Sequence, residues 1–172
     1  MPIRSSIPLL FAAALALTAA SCASKDAVAV SGSVGTVQLN VKKTGFVTAV
    51  SGHFDVSLEL GARAAGPTDV TFTEFSLVRI ADGTPVLAGE RLSVLASLPP
   101  PVHLEPGSSA LVSFEIGDLR NNAVVPMETD QADYASVCGA GELRVVGSIN
   151  DTTAGTTSTT PLKSAPFLPS GC

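Results

Sequence analysis

Phe54-Asp55-Val56-Ser57-Leu58-Glu59-Leu60 constrains the fold more than any other stretch. In an extended backbone Phe54, Val56, Leu58 and Leu60 fall on one side and Asp55, Ser57 and Glu59 on the other. This period of two belongs to a strand with one face in a core and one in water. The same alternation recurs in Ser33 to Lys42, Arg91 to Leu98 and Ser109 to Ile116, the last placing Ala110, Val112, Phe114 and Ile116 together. Shorter strands are expected at Phe46 to Val50, Ala123 to Met127, Glu142 to Ile149 and from Thr156 onward. Val70 and Phe72 have the opposite parity to Phe75 and Leu77, and a bulge near Thr73-Glu74 reconciles them.

Turn residues punctuate these runs at Lys42-Lys43-Thr44-Gly45, Ser51-Gly52, Gly61 to Pro67, Ala81-Asp82-Gly83-Thr84, Glu105-Pro106-Gly107, Asn121-Asn122 and Asn150 to Gly155. Pro99-Pro100-Pro101 has no amide hydrogens to donate, so pairing is expected to end there. Thr129 to Ala135 is the one helical piece, with Thr129 as its cap, Asp130 in its first turn and Gly139 as its terminator. The expected fold is all-β: an antiparallel sandwich of about seven to nine strands with at most one short helix.

From Phe54 to Ile116 the alternating strand, Gly66-Pro67-Thr68, Leu87-Ala88-Gly89 and Pro106-Gly107 resemble the immunoglobulin-like domain of late-embryogenesis/water-stress proteins. That resemblance implies an immunoglobulin-like sandwich. Antibody-type features are missing, since the chain has no Trp and Tyr134 stands four residues before Cys138 rather than two.

The N-terminal stretch sets the address. Arg4 precedes an uncharged apolar run from Ile7 to Ala20, and Lys25 and Asp26 mark the return to polar chain. A charge, a short apolar core and small residues at its end form the secretory pattern. A spanning helix needs about 20 apolar residues; Ser5, Ser6, Pro8, Thr18, Ser21 and Ser24 shorten the apolar part, and no basic stop-transfer cluster follows. Ala19-Ala20-Ser21-Cys22 resembles the lipobox of bacterial lipoproteins, with Ala19 where leucine is usual. The resemblance implies diacylglycerol on the Cys22 sulfur, cleavage just before it and acylation of the new amino group. Ala23 in place of aspartate points to an outer-membrane address. Cleavage after Ala20 or Ala23 by an ordinary signal peptidase, giving a secreted or periplasmic protein, is the alternative. The chain then divides into a signal at 1–21, a lipidated cysteine and short tether at 22–32, and a sandwich domain at 33–172.

Taking 21 residues from 172 leaves 151, one ordinary domain. Loss of Arg4 leaves nine basic against fifteen acidic residues. That balance argues against nucleic acid as a partner and against electrostatic attraction to anionic lipid. Three cysteines leave an odd one in an exported chain. Lipidation of Cys22 consumes it, and Cys138 and Cys172 remain as an even pair in an oxidising compartment. Cys138 precedes one expected strand and Cys172 follows the next, so both arrive at the open end of a hairpin where a disulfide clasps the Pro-rich tail. Their spacing fits neither a two-residue redox motif nor a zinc clip.

No catalytic constellation is present: there is no Gly-x-Ser-x-Gly, phosphate loop or His-Glu-x-x-His. His53 and His103, the two histidines, both adjoin turns and read as surface residues. Glu128, Asp130 and Asp133 lack calcium-loop spacing and read as a solvated face. Asn150-Asp151-Thr152 matches a glycosylation acceptor. Phe54, Phe72, Phe75 and Phe114 alternate as core residues, and scarce aromatics disfavour a sugar platform.

The expected function is a non-enzymatic interaction or structural module, held to the lipid bilayer through acylated Cys22, with an envelope protein partner. No cofactor, metal or catalytic residue is assigned. Gly61 to Asp69 and Leu98 to Pro106 are the candidate contact regions. The alternative is a small-ligand or metal-binding domain using His53 or His103 with acidic neighbours.

Overall fold

A computed structural model describes residues 28–45, 47–73, 75–87, 93–96, 100–120, 123–129, 131–153 and 155–172. The chain forms an all-β sandwich of two antiparallel sheets with one short helix, α1 (Gln131–Cys138). The spine of the seven-stranded sheet is β3 (Val47–Leu60). Along one edge of it lie β1 (Val30–Val34) and then β2 (Gln38–Thr44). Ser33 to Lys42 is therefore two segments, interrupted where Gly35 donates its amide to the Asp55 carbonyl at 2.7 Å. Strand pairing begins at Val30, so 30–32, assigned to the tether, belong to the sheet.

The expected turn at Ser51-Gly52 is not there, because β3 runs straight through it. Glycine is needed at that point for another reason: a Cβ on Gly52 would collide with the Gln38 carbonyl of β2.

Four further pairings build the two halves of the sandwich. In the first sheet β9 (Ser109–Arg120) pairs with β3 from Glu59↔Ser109 to Gly52↔Ile116. The six-stranded sheet centres on β12 (Leu143–Thr153), which carries β4 (Thr68–Phe72) and β5 (Ser76–Arg79) on one edge and β13 (Thr156–Lys163) on the other. Phe72 pairs with Ile149 and Ser76 with Val146, so 73–75 face only 147–148. One extra residue is accommodated there, as the parity of Phe72 and Phe75 requires. The Thr73 amide donates to the Ser148 carbonyl at 2.9 Å and the Ser148 amide to Thr73 Oγ1 at 2.8 Å.

The smaller segments are β6 (Pro85–Leu87), β7 (Ser93–Ala96), β8 (Val102–Leu104), β10 (Ala123–Val125) and β11 (Met127–Thr129). With these short pieces the described residues form thirteen strand segments. Pairing resumes directly after Pro101, since β8 docks on β4. Thr129 ends β11, paired with Thr48, rather than capping the helix. Gly139 does follow the helix and donates to the Ala135 carbonyl at 2.8 Å. Asn150 to Thr153 belong to β12, and the β12–β13 turn contracts to the two residues between Thr153 and Thr156, with Gly155 at φ 76. At 79–84 the expected turn is present: Thr84 donates its amide to Asp82 Oδ1 at 3.0 Å, which holds that carboxyl below its ordinary value.

Both sheets contribute to one core. Phe54, Val56, Leu58 and Leu60 are buried from one sheet, and Val70, Leu77, Leu143, Val145 and Ile149 from the other. Phe54 and Phe114 stack with centroids 5.1 Å apart, and Phe72 and Phe75 of the facing sheet meet Phe114 edge-on at 4.9 and 5.0 Å. Such edge-to-face contacts add about 0.5–1.5 kcal/mol each beyond area burial. All four expected core phenylalanines thus form one cluster.

Register also defines the two ends of the sandwich. Val30↔Leu60, Glu59↔Ser109, Thr68↔Leu104 and Thr153↔Thr156 lie at one end. Thr44↔Val47, Arg120↔Ala123 and α1 lie at the other.

Candidate functional site

Cys22 and the whole of 1–27 lie outside the described residues, as do Asp130 and Asn121-Asn122. Cys138 and Cys172 form a disulfide across 34 positions. Its place in the fold is wider than a hairpin clasp. Beyond β13 the tail first pairs with the start of β12, where Leu143 and Phe167 exchange amide–carbonyl bonds of 2.9 Å each. It then crosses to the other sheet and pairs Ser170 with Asn40 of β2. From there Cys172 is bonded back to the end of α1.

His103 is built into the outer face of β8. Val102 and Leu104 are buried on either side of it, so the imidazole must face solvent. Its cross-strand neighbour on β4 is Asp69, and Glu105 follows two residues on. The protonated ring donates from Nδ1 to Asp69 Oδ1 at 2.9 Å and from Nε2 to Glu105 Oε1 at 3.3 Å. These bonds, Asp69 first and Glu105 second, raise the His103 pKa above its ordinary value. In its protonated form the ring is clamped by a carboxylate on each nitrogen. The two carboxylates flank it instead of converging with it on one point. Among the described residues no group of three His, Cys, Asp or Glu could hold a metal ion.

His53 lies on the outer face of the other sheet, because its neighbour Phe54 is in the core. The sandwich therefore separates the two histidines, and they cannot act together. Gln38 faces His53 across β2–β3, and Asn40 faces Ser51. These four side chains, with Leu168 and Ser170 of the tail, line a groove of about 520 Å³. Beside the apolar Leu168 its side chains carry amides, hydroxyls and one imidazole, a lining suited to an uncharged ligand with polar groups.

Glu128 stands on β11 and is exposed, while Asp133 belongs to α1. Asn150 is in a paired strand and accepts a hydrogen bond from Thr159 Oγ1 at 2.7 Å, unlike a loop acceptor. The Gly61–Pro67 loop and the Glu105–Gly107 turn are adjacent, since Gly107 donates its amide to the Leu60 carbonyl at 2.9 Å. The candidate contact region Gly61 to Asp69 and the Pro106 end of Leu98 to Pro106 thereby meet at the end of the sandwich that carries Val30, while Leu98 and Pro99 lie outside the described residues. The Asp69–His103 pair and the Ser170–Asn40 bridge have no signal in the sequence. Comparison with family models, with curated proteins and with solved structures returns no match.

Proposed function

We propose that the protein is a lipid-anchored lipoprotein of the bacterial cell envelope, exported by its N-terminal signal and acting as a non-enzymatic interaction or structural module. The observation that carries this reading is the uncharged apolar run from Ile7 to Ala20 ending in Ala19-Ala20-Ser21-Cys22; among the described residues strand pairing starts at Val30, eight positions after Cys22. At about 3.3–3.6 Å per residue the connection spans at most about 30 Å. The joined loops at 61–67 and 105–107 lie at the end of the sandwich where that connection enters, together with Glu59, Asp69 and Glu105. Arg63 and His103 stand among these carboxylates, so net charge gives little attraction to anionic lipid and attachment rests on the acyl chains.

Cys22→Ser tests the reading in the native host. Detergent phase partition should move the protein from the detergent to the aqueous phase, or leave an unprocessed precursor. Normal processing with membrane retention would refute it. A second reading, a small-ligand domain, is favoured by the groove at Gln38, Asn40, Ser51 and His53; His53→Ala would then abolish saturable binding of a neutral polar probe.

A further inference from the structure

The outer edge of β2 is closed by the chain's own tail rather than by another strand of the sheet. The Val41 amide donates to the Ser170 carbonyl at 2.8 Å, the Ser170 amide donates to the Leu39 carbonyl at 2.8 Å, and Ser170 Oγ reaches the same carbonyl at 3.0 Å. This is the pattern of an added parallel strand. The position after it admits only glycine, because Gly171 has φ 81 and a Cβ there would collide with the Val41 carbonyl. The edge thus reads a short extended segment with a hydroxyl followed by glycine. The last of its fastenings is the Cys138–Cys172 bond, and Cys172 is exposed.

We propose that 164–172 is a strap released by thiol–disulfide exchange, and that the β2 edge it uncovers takes the same segment from a second copy of this chain. The second copy is the occupant because its tail carries the Ser-Gly pair and the sulfur that the edge and Cys138 accept. An exchanged strap repeats every contact of the closed one, which makes swapping a low-cost route to a dimer. The chemistry balances without a net oxidant. A small-molecule thiolate attacks one sulfur of the intrachain bond and the freed thiolate attacks the partner's bond. When Cys138 of each copy has joined Cys172 of the other, two interchain bonds replace two intrachain bonds and the initiating thiolate is released.

The test uses the full domain prepared as a mixture of ordinary and isotope-labelled chains. Under excess dithiol, amide exchange at Val41 should accelerate at least about tenfold while Val56 in the centre of β3 is unchanged. Reoxidation with catalytic thiol at high protein concentration should give Cys138–Cys172 peptides that join a labelled to an unlabelled chain. Unchanged exchange at Val41 after complete reduction would overturn the released strap. Acceleration followed by same-chain bridges alone would overturn the second copy as occupant. Gly171→Val, which blocks the edge register without touching either cysteine, should eliminate the mixed-chain peptides.

Discussion

The ring of Phe75 occupies the space in which a side chain at Gly147 would stand. The extra residue between Phe72 and Ser76 turns Phe75 inward, and β12 opposite must give way by having no Cβ. Bulge and glycine are one device: the first aims the ring and the second admits it to the phenylalanine cluster.

Gly147→Ala should therefore destabilise the domain by about 1–3 kcal/mol through overpacking. Urea denaturation measures this as a lowered midpoint with unchanged slope. Phe75→Leu also destabilises, but the double variant should cost less than the sum, because the smaller side chain makes room for the methyl group.

His103 gives a pH dependence with a defined sign. Its pKa is raised in the folded state by Asp69 and then Glu105, relative to 6.5 in the unfolded chain. Its contribution is present in full below about 6.5 and is lost as pH rises through the folded value. An NMR titration of the imidazole should show Asp69→Asn lowering the pKa more than Glu105→Gln does. His103→Gln should remove that part of the stability profile above pH 6.5.

Much of the sandwich was legible because burial imposes a period of two. Phe54 to Leu60 and Ser109 to Ile116 show it directly, and the parity break at Thr73 located a bulge before any pairing was known. Non-local geometry was harder to read. Gly52 looks like a turn residue, yet its requirement comes from the Gln38 carbonyl on a neighbouring strand. Val30 to Gly32 look like tether because a single small apolar residue among Ser and Gly carries little pattern. The clamp on His103 joins residues 34 positions apart, and only the register of β4 and β8 brings them together. Cysteine parity, by contrast, points to Cys138 and Cys172 once Cys22 is set aside, and the disulfide joins them; the route of the tail across both sheets has no local signature.

Removing that bond should be costly. Cys138→Ser with Cys172→Ser opens a loop of 34 positions, worth about 4 kcal/mol in the chain-entropy model. Denaturant unfolding of the oxidised protein against the double variant measures the difference. The variant should keep the far-ultraviolet spectrum of the sandwich, whose β3–β9 and β12–β13 pairings do not involve the strap.

The claim that Cys22 tethers this sandwich to a bilayer is tested most directly by intact-mass and N-terminal peptide analysis of protein extracted from the native membrane. The account predicts a chain that begins at Cys22 and carries diacylglycerol on its sulfur, with a further acyl group on its amine. An unmodified chain beginning at Ser21 or Ser24 would contradict it.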